Sequence, residues 1–330
     1  MSITTKKPKI VVDFLGADTD PSLLLPQFLA LIAPYPDKKK SSLILIIPSH
    51  LTKLVPKGLQ TIPCEEAISM QDDPLVAAKR KKQSSIWKGI NTLKLDKADA
   101  FISAGNTGAI ITIATISLPL LDKITKPALI ALIPSEKNSI LLLDVGATIR
   151  CSPKQFLELA YMGTLVKQYL GVLKPKISLL NIGKEKTKGS QELKQAFSLL
   201  EQLNTHTEAE FIGNIEARDI FKKPVDIILT DGFTGNVLLK TAEGISQTIC
   251  ETVAHLYPQD KRLESLKEKF LYTQYAGAII GGFNKILIKC HGDSQGENLV
   301  KSVEQAFLML ESDFFKHQNS SLLSQIGSFL

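Results

Sequence analysis

The sequence predicts an α/β protein, a three-layer α/β/α arrangement around a mostly parallel sheet, and three observations carry that expectation. Apolar, β-branched runs recur along the chain, helix-like segments separate them, and the runs lack clean two-residue alternation. A strand covered by helices on both faces reads as such a continuous run, because neither face meets water. The runs are KIVVDFLG, SLILIIPS, ADAFISAG, PALIALIP, SILLLDVG, KISLLNIG, AEFIGNIE, VDIILTDG and KILIKCHG. Between them, Asp73-Pro74 opens a helix, since aspartate caps first-turn amides and proline has no N–H to leave unsatisfied there. Another helix runs from Glu297 towards Phe314, with Leu299, Val303, Phe307, Leu310 and Phe314 at helical spacing.

Composition sets the outer limits. A chain of 330 residues, 44% hydrophobic and 22% charged, is an ordinary globular protein with a full core, as one large domain or two intimately joined ones. A net charge of +6 is compatible with an anionic substrate, an acidic protein partner or an anionic membrane surface. Cys64, Cys151, Cys250 and Cys290 have neither paired zinc spacing nor disulfide density, and read as reduced thiols of a cytoplasmic protein. The apolar run that ends at Asp13 is too short for a signal peptide. The stretch from Ala109 to Leu121, interrupted by Thr112, Thr115, Ser117 and Pro119, falls short of the roughly 18 residues of a membrane span.

The strand endings carry the chemistry. They read GADTD, GNTG, GATIR, GKEKTKG, GNIEARD, DGFTGN and HGDS. Turn glycines suffice for a purely structural sheet, so repeated Asn and Asp beside them point to a crevice beyond the carboxyl ends of the strands, where open parallel sheets bind ligands. Each ending taken alone is equally a turn. In SAGNTGA, a glycine-bounded turn into a helix offers uncommitted N–H groups at the positive end of the helix dipole. Gly105 and Gly108 would admit an oxyanion, Asn106 and Thr107 would add side-chain hydrogen bonds, and phosphate is the natural guest.

The order of these motifs resembles the PlsX-type phosphate acyltransferases of bacterial phospholipid synthesis. The resemblance runs through VVDFLGAD, DDPLVAAKRKKQSSIWKGINTLKLDKADAFISAGNTGA, LLDVGAT, LLNIGKEKTKG, FIGNIEARDIF, DGFTGNVLLKTAEG, YAGAIIGG and KCHGDS, over nearly the whole chain. It implies transfer of a fatty acyl group from acyl carrier protein to inorganic phosphate, giving an acyl phosphate for phospholipid synthesis, with no cofactor and no metal. It implies a fold similar to the isocitrate and isopropylmalate dehydrogenases without their oxidation chemistry. Residues 1–330 would form one catalytic unit, or two closely joined subdomains around a cleft, in a cytoplasmic homodimer at or near the inner face of the membrane.

That chemistry sets roles. Phosphate is already an anionic nucleophile near neutral pH, so the enzyme must hold it, reduce repulsion and stabilise the oxyanion formed from the thioester carbonyl. The Gly105-Asn106-Thr107-Gly108 turn and Lys188 are the expected phosphate-binding groups, with Asn236 and nearby amides holding phosphate or the carbonyl oxygen. Asp231 would orient Lys188 or transfer a proton, and Asp144 or Asn214 would organise the crevice. The competing readings are plain: solvated loop lysines for Lys188, turn or helix caps for Asp144 and Asp231, and loop support for Asn214 and Glu216.

Other chemistries fit less well. Cys290 and His291 would point to opposite faces of a strand, GKEKTKGS lacks the glycine spacing of a nucleotide-hydrolase loop, no dinucleotide fingerprint follows the first strand, and no acid, His and Cys group has metal spacing. The basic run AAKRKKQSSIWK has one aromatic, too few for a nucleic-acid platform, and suits docking of an acidic carrier protein; Arg80 belongs either to that face or to the active site. Residues 245–275 are a candidate amphipathic membrane or dimer contact, with Ile245, Ile249, Val253 and Leu256 on one face and Leu263, Leu266 and Phe270 on another beside Lys261, Arg262, Lys267 and Lys269.

Three places depart from the family pattern: Ala17 where a second glycine is usual, Thr148 where asparagine is usual, and YAGAIIGG in place of a Gly-Gly-Ala-Pro run. A phosphate acetyl- or butyryltransferase using short acyl-coenzyme A, and a catalytically silent binding scaffold, are the alternatives.

Overall fold

The structure is a computed structural model, and it describes residues 7–135, 139–205, 209–258, 260, 262–270, 277–290 and 296–311. The chain divides into two compact units, Met1–Leu120 with Ala276–Asp313 and Leu121–Tyr275 with Phe314–Leu330. The first unit opens with β1 (Ile10–Asp13), α1 (Pro21–Ile32), α2 (Asp37–Lys40), β2 (Leu43–Ile47), β3 (Gln60–Pro63), α3 (Pro74–Arg80), α4 (Ser85–Lys94), β4 (Ala100–Ser103) and α5 (Thr107–Ser117). The second unit contains β5 (Ala128–Pro134), β6 (Ser139–Leu143), α6 (Pro153–Tyr169), β7 (Lys176–Leu180), α7 (Gln191–Glu201), β8 (Glu210–Ile215), β9 (Ile227–Leu229), α8 (Gly232–Leu256) and α9 (Arg262–Phe270). The chain then returns to the first unit as β10 (Gly277–Gly281), β11 (Ile286–Cys290) and α10 (Gly296–Glu311).

In the first unit the strands lie in the order β3-β2-β1-β4-β11-β10, parallel except for the β10–β11 pair. Every residue of β1, β2, β4 and β11 is buried, so both faces of these strands are covered. The cover is helical: α4 packs on β1, β2 and β4, while α10 packs on β1, β4 and β11. In the second unit the order is β5-β6-β9-β7-β8, parallel except for β5–β6, with α6 on β6 and β9 and α7 on β8. The expected mostly parallel α/β architecture is the observed one. Each apolar run contains a strand; β3 and β10, which no run announced, are the additions.

Six of the helices start where the sequence supplies an acceptor. Asp20, Asp73, Asn106, Ser152, Ser190 and Asp231 each accept a first-turn amide of the helix that follows. Asp73 does so at 2.8 Å from the Val76 amide, with Pro74 in the first turn as expected. In α10, Leu299, Val303 and Phe307 are buried, while Phe314 lies outside the described residues.

The 245–275 segment is less uniform than its pattern predicted. Ile245, Ile249 and Leu256 are exposed, but Val253 is half-buried and Leu263 is buried, so Leu263 belongs to the packed interior rather than to an outer face. Lys261, residues 271–275 and the side chains of Leu266 and Lys269 lie outside the described residues. No helix among the described residues is long and apolar enough to cross a membrane.

Helix α4 approaches the sheet closely because Gly89 has no side chain. A Cβ there would lie 2.1 Å from the ring of Phe101, itself fully buried in β4. Gly89→Ala gains helix propensity of at most about 1 kcal/mol, and overpacking typically costs about 1–3 kcal/mol, so the clash dominates. The variant is expected to unfold at lower urea concentration than the parent; an unchanged or raised midpoint would contradict this packing account.

Candidate active site at the carboxyl ends of the strands

In the first unit, three parallel neighbours place polar side chains in register at their carboxyl ends: Asp13 on β1 beside Ser103 on β4, and Ser103 beside Lys289 on β11. Asp13 is buried and accepts the Ser103 hydroxyl at 2.8 Å, the Ser85 hydroxyl at 3.0 Å and the Leu15 amide at 2.9 Å. Ser103 Oγ in turn accepts the Gly105 amide at 3.0 Å. Burial, partly opposed by these hydrogen bonds, pushes the Asp13 carboxyl up to about 7. Gly16, at φ +82°, completes the crowding, since a Cβ there would meet the Gly105 Cα at 3.1 Å.

Within the SAGNTGA turn several polar groups are already hydrogen-bonded inside the fold. The Asn106 carboxamide is committed internally: Oδ1 accepts the Ala109 amide at 3.0 Å, and Nδ2 donates to the carbonyls of Ser69 at 3.0 Å and Asp72 at 3.2 Å. Its side chain caps α5 and ties down the 69–72 loop rather than reaching outward. The Gly105 amide is held by Ser103, and a Cβ at Gly108 would strike Pro74 at 2.6 Å, so this glycine serves α3–α5 packing. Thr107 and Gly108, both partly exposed residues, open α5, where first-turn amides lie outside the helical ladder.

Arg80 is exposed at the end of α3. Its neighbour Lys81 pairs with Asp72 at 2.6 Å and donates to the Ala67 carbonyl, and the Trp87 indole donates to the Ala78 carbonyl at 2.9 Å. Part of the basic run is thus internal bracing, with Trp87 pinned rather than presented.

In the second unit, Asp144 and Asn181 directly follow β6 and β7, Asp231 lies two residues past β9, and Asn214 is the penultimate residue of β8. Asp144, completely buried after a cis Leu143–Asp144 peptide, accepts the amides of Leu129, Gly146, Ala147 and Thr148 and the Thr148 hydroxyl at 2.7–3.2 Å. Thr148, where the resemblance leads one to expect asparagine, supplies two of those donors. The start of α8 sits on this turn: a Cβ at Gly232 or Gly235 would come within 1.9 Å of the Thr148 or Asp144 carbonyl oxygen. Asn236, exposed on the first turns of α8, lies alongside Gly146. Asp231 caps α8 by accepting the Thr234 amide at 2.8 Å. Among the described residues no ion pair joins it to Lys188, and the interaction it makes is this cap.

The lysine-rich loop after β7 is held by two buried carboxamides. Asn181 donates to the Lys188 carbonyl at 3.1 Å, and Asn214, on β8, donates to the Glu185 carbonyl at 3.0 Å. The Asn214 Oδ1 is buried with no hydrogen-bond partner among the described residues. Of the three loop lysines, Lys184 pairs with Asp219 at 2.9 Å and Lys186 pairs with Glu201, whereas Lys188 is exposed without an ion pair among the described residues. Glu216 pairs with Arg218 at 2.9 Å.

The structure thus groups Asp144, Asp231 and Asn236 around the β6–α8 junction, and Lys188 with Asn214 around the β7 loop, while Gly105, Asn106, Thr107 and Gly108 form the β4–α5 turn of the other unit. Asp13, Ser85, Ser103, Asn181 and Lys289 were not singled out from sequence; a charged residue closing an otherwise apolar run, as in IVVD and ILIK, was the available signal for two of them. Thiol chemistry has no support, since burial pushes the Cys151 and Cys290 thiols up to about 11. His291 and the rest of HGDS lie outside the described residues, and among those described no group of three or more His, Cys, Asp or Glu side chains is placed to hold a metal ion.

Comparison with known proteins gives the family context. A family model described as fatty acid synthesis protein matches residues 8–317. A phosphate acyltransferase of Chlamydia pneumoniae is 40% identical over 79% of each chain, and one of Halothermothrix orenii is 37% identical over 90% of this chain and 93% of the other. Among solved structures, a phosphotransacetylase from Streptococcus pyogenes superposes with a TM-score of 0.62 at 14% identity, over 94% of this chain and 95% of the other. The EutD phosphotransacetylase from Staphylococcus aureus gives 0.58 at 14% identity, over 92% and 94%. These likenesses show the fold.

The Asp13 carboxyl gives a pH signature. The folded state holds its proton more tightly than an unfolded chain, whose aspartate titrates near 4, so this group's contribution to stability falls as pH rises from about 4 to about 7 and is level above that. Asp13→Asn is expected to remove that decline, read as urea midpoints at about pH 5 and about pH 8. Equal declines in parent and variant would contradict the assignment.

Proposed function

The chain belongs to this family of phosphate acyltransferases, and we propose that it transfers a fatty acyl group from acyl carrier protein to inorganic phosphate. A phosphate oxygen attacks the thioester carbonyl carbon, the C–S bond breaks, and the carrier thiol leaves with a proton while acyl phosphate forms. Phosphate needs no general base to become a nucleophile, so the protein's task is holding and charge compensation. The observation that carries the reading is the β4–α5 turn, where Ser103 and Asn106 meet the other local demands and leave the Thr107 and Gly108 amides for an anion.

Taken by itself, the second unit offers Lys188, exposed and without an ion pair among the described residues, for charge compensation, and Asn236 beside Gly146 as a carboxamide donor. Asp144, Asp231 and Asn214 support backbone in this reading and do not touch substrate. The exposed Lys79 and Arg80, next to exposed Leu75 and Val76 on α3, suit an acidic carrier protein through charge steering and apolar contact. The stripe of Ile245, Ile249 and Leu256 on α8 is the face for a second copy of the chain or for the inner membrane surface.

Incubation with long-chain acyl carrier protein and phosphate is expected to give hydroxylamine-trappable acyl phosphate, with little from acyl-coenzyme A. Lys188→Ala is expected to lower kcat/KM for phosphate by about tenfold or more, and Lys186→Ala to change it by less than about twofold, since surface ion pairs such as Lys186–Glu201 contribute little. Product from short acyl-coenzyme A alone would replace the proposed donor; equal effects of the two substitutions would remove Lys188 from the site.

A further inference from the structure

Lys289 is a lysine where a strand interior has no use for one. It lies on β11, is 9% exposed, and is in register with Ser103 of β4. Burying an ammonium is costly unless its donors are satisfied. Its Nζ donates to the Ala104 carbonyl at 2.9 Å and also to the carbonyl of Cys290. The Ala104 carbonyl and the Gly105 amide belong to one peptide group. That group is therefore gripped at both ends, its oxygen by Lys289 from β11 and its N–H by Ser103 Oγ, which Asp13 on β1 holds in turn at 2.8 Å.

The grip has a purpose at a glycine. The peptide before Gly105 lacks the steric restraint a following side chain would impose, so rotation of this plane is easier here than at most positions. Rotated, it would turn a carbonyl oxygen, a partial negative charge, towards the start of α5, where the Thr107 and Gly108 amides gather positive potential. Held as observed, the oxygen is kept on Lys289.

We propose that Lys289 is a positioning residue for phosphate, clamping the Ala104–Gly105 peptide together with Ser103 so that the turn into α5 presents only donors to the anion. The proposal rests on the reading of that turn as the phosphate site. Lys289 acts through the Ala104 carbonyl, and its effect falls on phosphate affinity more than on the chemical step. The clamp also makes Lys289 and Ser103 energetically coupled, because each holds one end of the same peptide.

The test is phosphate binding by phosphorus NMR titration without an acyl donor, alongside steady-state kinetics, for the parent, Lys289→Met, Ser103→Ala and the double variant. Removing either end is expected to weaken phosphate binding by about tenfold and raise KM for phosphate to match, with kcat within about threefold. The double variant is expected to lose less than the product of the single losses. Thermal melting and the fluorescence of Trp87, the sole tryptophan, report whether each variant is folded; should Lys289→Met not fold, Ser103→Ala alone decides. Folded variants that bind phosphate like the parent would overturn the proposal, as would strictly multiplicative losses. A parent that binds phosphate yet makes no acyl phosphate would overturn the enzymatic reading and leave the clamp standing.

Discussion

A buried parallel strand that stops leaves its last carbonyls and the amides of the following loop without ladder partners, and the cost of leaving them so is the constraint on which this structure turns. The chain meets it with side chains at the strand ends: Asp13 and Ser103 for the turns after β1 and β4, Asp144 for the turn after β6, Asn181 and Asn214 for the loop after β7. Much of their hydrogen-bonding capacity goes to backbone and to neighbouring hydroxyls, while the buried Asn214 Oδ1 has no hydrogen-bond partner among the described residues. In the proposed function, chemistry falls to helix first-turn amides and to side chains such as Lys188 and Asn236.

This division of labour suits acyl transfer to phosphate. The nucleophile arrives charged, so a strong base or an activated thiol would add little, and the two thiols that burial drives up to about 11 are unsuited to the task. Oriented amides cost no reorganisation when charge moves onto the carbonyl oxygen, provided the turn that carries them is stiff. Stiffness is what the strand-end carboxylates and carboxamides supply: a fully buried Asp144 under the start of α8, and Asp13 behind the turn into α5.

Much of the architecture was legible in the sequence. The apolar runs located strands because burial on both faces removes alternation, and Asp73-Pro74 located a helix start because capping is local chemistry. Strand β3 escaped because it is short and half-exposed, and β10 because its apolar core is only Ala-Ile-Ile between glycines. The endings do not disclose which of their atoms are already hydrogen-bonded within the fold. The capping bonds of Asn106 and Asp231 and the strand-end hydrogen bonds of Asp13 and Lys289 are such allocations, and Asp13 and Lys289 passed unnoticed inside apolar runs. Hydrogen-bond allocation depends on which strands are neighbours, and β11 meets β4 across most of the chain's length, which spacing alone does not disclose.

The most direct measurement is an amide NMR titration of isotope-labelled protein with inorganic phosphate, following Gly105, Thr107 and Gly108. The account requires saturable shifts at Thr107 and Gly108, with a smaller response at Gly105, whose N–H is already held by Ser103. Saturation of the enzyme by phosphate with Thr107 and Gly108 unmoved would contradict it.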